Sequence, residues 1–160
     1  MATFDPEALL RSLTDAHVRF VVIGGIAVGV HGVVRGTKDV DIVPDPGLDN
    51  LERLATALRE LDARQIGVDT EFLPNQPTDP EGLAQGGSFQ LQTRLGQLDI
   101  LQESDAVRSF AELDRDAIEV HHMGLALRVC SLAHLREMKR AARRPQDLRD
   151  LEDLDIAHGG

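Results

Sequence analysis

Tryptophan and tyrosine are absent from this sequence, and only five phenylalanines stand in for them. A core built from such a chain has to be aliphatic, made of leucine, valine, isoleucine and alanine. Cysteine occurs once, at Cys130, which excludes an intramolecular disulfide and a cysteine-based zinc cage. No apolar run approaches the roughly 20 residues that span a bilayer, and the N-terminus lacks the charged-then-apolar pattern of a secretion signal. Positive charge is scarce as well: 17 Lys and Arg against 27 Asp and Glu leave a net charge of -10. A broad nucleic-acid-binding face needs clustered cations, so the balance argues against one, although a local basic patch lies near the C-terminus. The expectation is a cytoplasmic protein with no membrane partner.

What is present is a globular composition, since an apolar share of 42% is too high for a disordered chain. A length of 160 residues suits one domain, 1–160, able to bury about two-thirds of its unfolded surface. Asp5-Pro6 reads as a helix start, followed by Leu9, Leu10 and Leu13 at helical spacing. "RFVVIGG" reads as a short buried strand, and "IAVGVHGVV" as a short helix closing at Gly32 or Gly36. "DVDIV" is a second strand, stopped by "PDPG". Asp49 and Glu52 are spaced as a capping box for a helix carrying Leu51, Leu54, Leu58 and Leu61.

Further on, "GVDTEFL" is a strand candidate and "PNQPTDPEGLAQGG" an exposed loop. "SFQLQTRLGQLDILQ" reads as two strands turning near Gly96, and residues 105–113 as a short helix. "AIEVHHM" and "ALRVC" follow as strands. Ser131 caps a helix with Leu132, Leu135 and Met138, and a last helix after Pro145 shows Leu148, Leu151 and Leu154. The class is α/β (α+β): a mixed sheet flanked by helices, with the core at about 17–130 and C-terminal helices at about 131–157.

The chemical anomaly lies in "VVIGGIAVGVHGVVRGTKDVDIV". Strands disfavour aspartate, yet Asp39 and Asp41 alternate with Val40 and Ile42, so both carboxylates share one face. Side by side they repel unless something positive lies between them. Mg²⁺ (or Mn²⁺) suits such oxygen ligands and keeps sites open for substrate phosphates. The bland alternative is one Asp capping a turn and the other merely exposed. Asp99, in "GQLDILQ", repeats the environment of an acid in an aliphatic strand and is the best third ligand, ahead of Glu71 and Glu103. Gly24-Gly25 lets backbone approach a ligand closely at a helix start, where N–H groups attract phosphate; otherwise it is an ordinary tight turn. Neither a dinucleotide fingerprint nor a Walker loop is present.

Arg35 and Lys38 carry charge suited to a triphosphate, but Arg35 equally suits an acidic neighbour and Lys38 a solvated position. Thr37 orders the turn or binds substrate. Arg136, Lys139, Arg140, Arg143 and Arg144 form a basic run that reads as a solvated helix face or as a seat for a nucleic-acid acceptor. His31 reads as a packing residue beside the glycine turn. His121 and His122 face opposite ways in a strand, and Cys130 reads as a small core residue.

Gly24-Gly25, then Arg35-x-Thr37-x-Asp39-x-Asp41, then a later strand Asp resembles the nucleotidyltransferase superfamily related to DNA polymerase beta. "GGIAVGVHGVVRGTKDVDI" and "MKRAARRPQDLRDLEDL" are similar to its AbiEii-type group, known from toxin–antitoxin and phage-defence systems. The resemblance covers residues 20–43, Asp99 and 138–154. It implies a nucleotidyltransferase fold and an NTP as substrate. It also implies metal held by Asp39 and Asp41 with Asp99, and transfer of a nucleoside monophosphate to a tRNA or protein acceptor with release of pyrophosphate. Gly24, Gly25, Arg35, Thr37 and Lys139 would hold the nucleotide, with Asp147 or Asp150 lining the site. A cognate toxin or antitoxin chain is an implied partner. Two further readings stand beside it: a non-catalytic, antitoxin-like interaction module and a small-molecule enzyme of the aminoglycoside-modifying kind. Many superfamily members have Gly-Ser where this chain has Gly24-Gly25, so one side-chain contact to phosphate is missing here.

Overall fold

Short aliphatic strands form the centre of the molecule, and helices cover them. The computed structural model describes residues 3–66 and 78–159. In chain order the elements are α1 (Pro6–Asp15), β1 (Phe20–Ile23), α2 (Gly24–Val30), β2 (Asp39–Pro44), α3 (Leu48–Glu60), β3 (Arg64–Gln65) and α4 (Pro80–Ala84). They continue with β4 (Phe89–Thr93), β5 (Gly96–Ile100), α5 (Phe110–Asp116), β6 (Ile118–His122), β7 (Leu125–Val129), α6 (Leu132–Ala142) and α7 (Pro145–His158).

The strands make one mixed sheet in the order β3-β4-β5-β2-β1-β7-β6. At its middle, β2 runs antiparallel to β1 and parallel to β5. β1 is buried on both faces, as the adjacent Val21 and Val22 show, whereas on β2 and β5 the fully buried Val40, Ile42, Leu98 and Ile100 alternate with the half-buried Asp39, Asp41 and Asp99. The two outer hairpins are closed tightly. Met123 and Gly124, both at positive φ, join β6 to β7 in the two-residue turn whose twist suits a hairpin. Among the described residues no helix is long and apolar enough to cross a membrane.

Caps behave as local chemistry dictates. Asp5 accepts from the Ala8 N–H at 3.0 Å to start α1, and Ser131 accepts from the His134 N–H at 3.1 Å to start α6. The Asp49/Glu52 capping box does not form: Gly47 is the N-cap of α3, and Asp49 lies inside its first turn. α3 has no side-chain cap; Asp45 only shapes the turn before it, accepting from the Gly47 N–H at 2.9 Å. The helix expected at 105–113 starts later, at Phe110, because Ser104 binds the Ala106 and Val107 N–H groups in a turn and Ser109 caps. Within the expected 74–87 loop, Asp79-Pro80 starts α4, which buries Leu83. The strand candidate at 67–73, with Glu71, lies outside the described residues.

The largest departure is in α7. Of Leu148, Leu151 and Leu154, only Leu154 is buried on its inward face: Leu148 is 45% exposed, Leu151 is half-buried, and the other buried residues are Asp147 and Asp150. Two acids take the place of leucines because cations meet them there.

Candidate active site

The β2–β5 pairing brings the acids together. Asp41 stands in register with Asp99 on the neighbouring parallel strand, and Asp39 lies two residues back on the same face as Asp41. Asp39, Asp41 and Asp99 each offer an oxygen within 4.8 Å of the others, the only such cluster of potential metal ligands among the described residues. Glu103 is outside it. Gln97, two residues before Asp99, donates to Asp99 Oδ1 at 2.9 Å and fixes that carboxylate.

Electrostatics are unfavourable here without a cation. Burial, and then the charges of Asp39 and Asp99, push the Asp41 carboxyl up to about 8. Burial also pushes Asp99 upward, against the opposing hydrogen bond from Gln97. Three carboxylate oxygens at this spacing fit a divalent cation such as Mg²⁺, which favours oxygen ligands.

The glycine turn is built around these acids. Gly24 has a φ of +70, and a Cβ there would overlap the Asp41 carboxylate. A Cβ on Gly25 would lie 2.7 Å from Thr37 Oγ1 and 3.1 Å from Arg35 Nη2. Thr37 in turn donates to the Asp39 carbonyl at 3.0 Å, so it orders the entry to β2. The Gly-Gly pair therefore lets β1, the Arg35–Thr37 segment and β2 close on one another.

A cavity of about 280 Å³ opens beside the acids. Gly24, Asp41, Asp99, Lys139, Arg144 and Asp147 form its polar wall. Its apolar wall is Phe89, Leu101, Val107, Leu135 and Met138, from β4, the stretch after β5, and α6. Nothing local marks these residues as a cavity wall, although Leu135 and Met138 belong to the apolar stripe of α6, because they converge only when three distant segments fold together.

The C-terminal cations are mostly engaged. Lys139 is buried, with Nζ 3.2 Å from Asp147 Oδ1 and 2.8 Å from Asp150 Oδ2. Arg35 donates through Nη2 to Asp150 at 3.0 Å and places Nε 2.8 Å from its other oxygen. Of the two aspartates, Asp147 lines the cavity and Asp150 lies fully buried behind it. Burial works against ionisation of both. Hydrogen bonds, first from Arg144 at Asp147 and from Lys139 at Asp150, still hold each below the usual carboxylate range. Arg136 pairs with Asp155, whereas Lys38, Arg140 and Arg143 are exposed.

The remaining singles are structural. The His31 ring donates to the Cys130 carbonyl at 2.8 Å, and burial pushes the Cys130 thiol up to about 12. His121 and His122 fall on alternating positions of β6, in register with Ala126 and Leu125 of β7.

No protein-family model and no curated protein matches the sequence. Solved structures do. The antibiotic-resistance factor ANT(2'')-Ia aligns with a TM-score of 0.60 at 16% identity, over 94% of this chain and 83% of that one. Its crystal form in complex with adenylyl-2''-tobramycin gives 0.58. The lincosamide antibiotic adenylyltransferase LnuA, lincomycin-bound, gives 0.57 at 17% identity over 97% and 98% of the two chains. TM1012 of Thermotoga maritima, described as a nucleotidyltransferase, gives 0.56 at 17% over 94% and 93%. At these identities the likeness is one of fold, and the fold is that of the nucleotidyltransferases.

Proposed function

We propose that this protein is a divalent-metal-dependent nucleotidyltransferase, which moves a nucleoside monophosphate from an NTP to an acceptor hydroxyl. The observation that carries the reading is the convergence of Asp39, Asp41 and Asp99 within 4.8 Å at the edge of a cavity. Asp39, Asp41 and Asp99 would hold Mg²⁺ or Mn²⁺, which when bound neutralises charge on the reacting phosphate. Backbone N–H groups at the Gly24-Gly25 turn face the phosphates, and Thr37 and Arg35 hold that turn in shape. Asp99, next to the cavity, takes the proton of the acceptor hydroxyl. The hydroxyl oxygen then forms a bond to the α-phosphorus, the bond from that phosphorus to the bridging oxygen breaks, and pyrophosphate leaves with the electron pair.

The acceptor we favour is a small hydroxylated molecule. A half-open, partly apolar cavity suits one, and two structural neighbours are named for antibiotic modification. A macromolecular acceptor, tRNA or protein, is the second reading, supported by exposed Arg140 and Arg143 close to the cavity-lining Arg144. The AbiEii-type grouping, a toxin–antitoxin or phage-defence setting and a cognate partner chain belong to that reading.

The test uses α-labelled NTPs with Mg²⁺, offered in turn with aminoglycosides, lincosamides, total tRNA and a cell lysate. Label on a small molecule, lost in Asp99→Asn, supports the favoured reading. Label on RNA or protein supports the second. No label on any acceptor from folded protein sinks both, and leaves a non-catalytic interaction module.

A further inference from the structure

A second charged cluster lies along and behind one wall of the cavity, and its charges do not cancel. Asp147 and Asp150 are shared by three cations, Lys139, Arg35 and Arg144, so one positive charge is left over. The three cations differ in freedom. The side chain of Lys139 is 8% exposed, that of Arg35 22% and that of Arg144 74%.

Arg144 has a fixed backbone and a releasable side chain. Arg143 before it adopts a left-handed φ of 53 that ends α6, and Pro145 after it opens α7. The Arg144 N–H donates to Asp147 Oδ2 at 3.0 Å, as the N-cap of α7. Its side chain donates through Nε at 2.9 Å and, weakly, through Nη2 at 3.4 Å to the same carboxylate. Nη1 has no protein partner among the described residues. If the side chain lets go, Asp147 keeps Lys139 and the Arg144 N–H, so no buried charge is stranded. An ion pair with one exposed member is weak enough to exchange.

The same residue borders the candidate site. Arg144 lines the cavity with Gly24, Asp41 and Asp99. Its guanidinium is held charged by the Asp147 hydrogen bond first, and the fields of Asp41 and Asp39 add to that. A guanidinium fork matches phosphate oxygens two at a time, which a lysine ammonium cannot do. Lys139 has two N–H groups committed to carboxylates, and so serves to position this wall.

We propose that Arg144 exchanges Asp147 for the β- and γ-phosphates of the bound nucleotide and holds the pyrophosphate until it leaves. The inference rests on the nucleotidyl-transfer reading above. The closing experiment is calorimetric titration of wild type, Arg144→Ala and, as a control at an exposed arginine of α7, Arg149→Ala with Mg²⁺-pyrophosphate. The same proteins are titrated with each ribonucleoside 5′-monophosphate and each α,β-methylene triphosphate. Loss of charge-assisted hydrogen bonds predicts that Arg144→Ala weakens pyrophosphate and the triphosphates about 10- to 100-fold. Monophosphate binding stays unchanged, and Arg149→Ala matches wild type throughout. Arg144→Lys recovers only part of the loss. Equal binding by Arg144→Ala and wild type overturns the role of Arg144 while leaving nucleotidyl transfer standing. So does an equal loss of monophosphate. A wild type that binds neither nucleotide nor pyrophosphate overturns both.

Discussion

Two clusters of carboxylates, one half-buried and one buried, flank one cavity, and they are built on opposite principles. In the α6–α7 cluster every acid meets cations: Lys139 lies between Asp147 and Asp150, with Arg35 and Arg144 on the outside. The acids there ionise more easily than usual. On β2 and β5 the acids meet chiefly one another, and Asp41 is pushed up to about 8. Paired charges of the first kind hold two helices in place. Unpaired charges of the second kind are tolerated only where a cation or substrate repays them. The difference separates a wall held by its own ion pairs, from which only the exposed Arg144 side chain is free to leave, from acids that await a cation.

Asp41→Asn breaks the comparison most strongly. Removing a metal-holding charge should lower nucleotidyl transfer by several kcal/mol of barrier, on the order of 10³-fold in rate. The same change should raise the melting temperature of the metal-free protein near pH 8, because it removes a repelled carboxylate. Full activity in a labelled-NTP assay, or a lower melting temperature, would count against the triad.

Lys139→Met tests the other cluster. It leaves two buried acids short of their shared cation and should destabilise the fold by about 3–5 kcal/mol in a denaturant titration. A loss below about 1 kcal/mol would mean that the pairing contributes little.

The clusters should also respond to pH in opposite directions. Asp147 and Asp150 have lowered pKa values, so their stability is present above the ordinary value of 3.8 and is lost as pH falls through the folded values. Asp41 is raised from 3.8 to about 8, so it favours the fold at low pH, and that contribution is lost as pH rises across this range. Melting temperature without metal should therefore decline toward pH 8, and Mg²⁺ should restore several degrees there and almost nothing near pH 4. A Mg²⁺ effect independent of pH would detach the metal from Asp41. The smallest effect belongs to Leu148→Gln, expected within about 0.5 kcal/mol of wild type because the residue faces outward. A loss of core-leucine size would restore the leucine stripe of α7.

Local patterns in the chain were sufficient for most elements. Asp5-Pro6, Ser131 and Pro145 mark helix starts, and alternation around Asp39 and Asp41 marks a strand with one polar face. These signals are readable because caps and strand faces depend on neighbours a few residues away. The candidate triad was legible for the same reason: an acid in an aliphatic strand conflicts with its surroundings wherever that strand lies. Tertiary structure alone decided that Asp41 and Asp99 stand in register, since β2 and β5 are far apart in the chain and their parallel pairing leaves no local mark. It also decided that Gly24 makes room for the Asp41 carboxylate and that α7 turns Asp147 and Asp150 inward rather than Leu148. An amphipathic pattern ranks residues by their affinity for water. It cannot register that Lys139 of α6 and Arg35 from the segment before β2 wait on the inner side to make burial of an aspartate favourable.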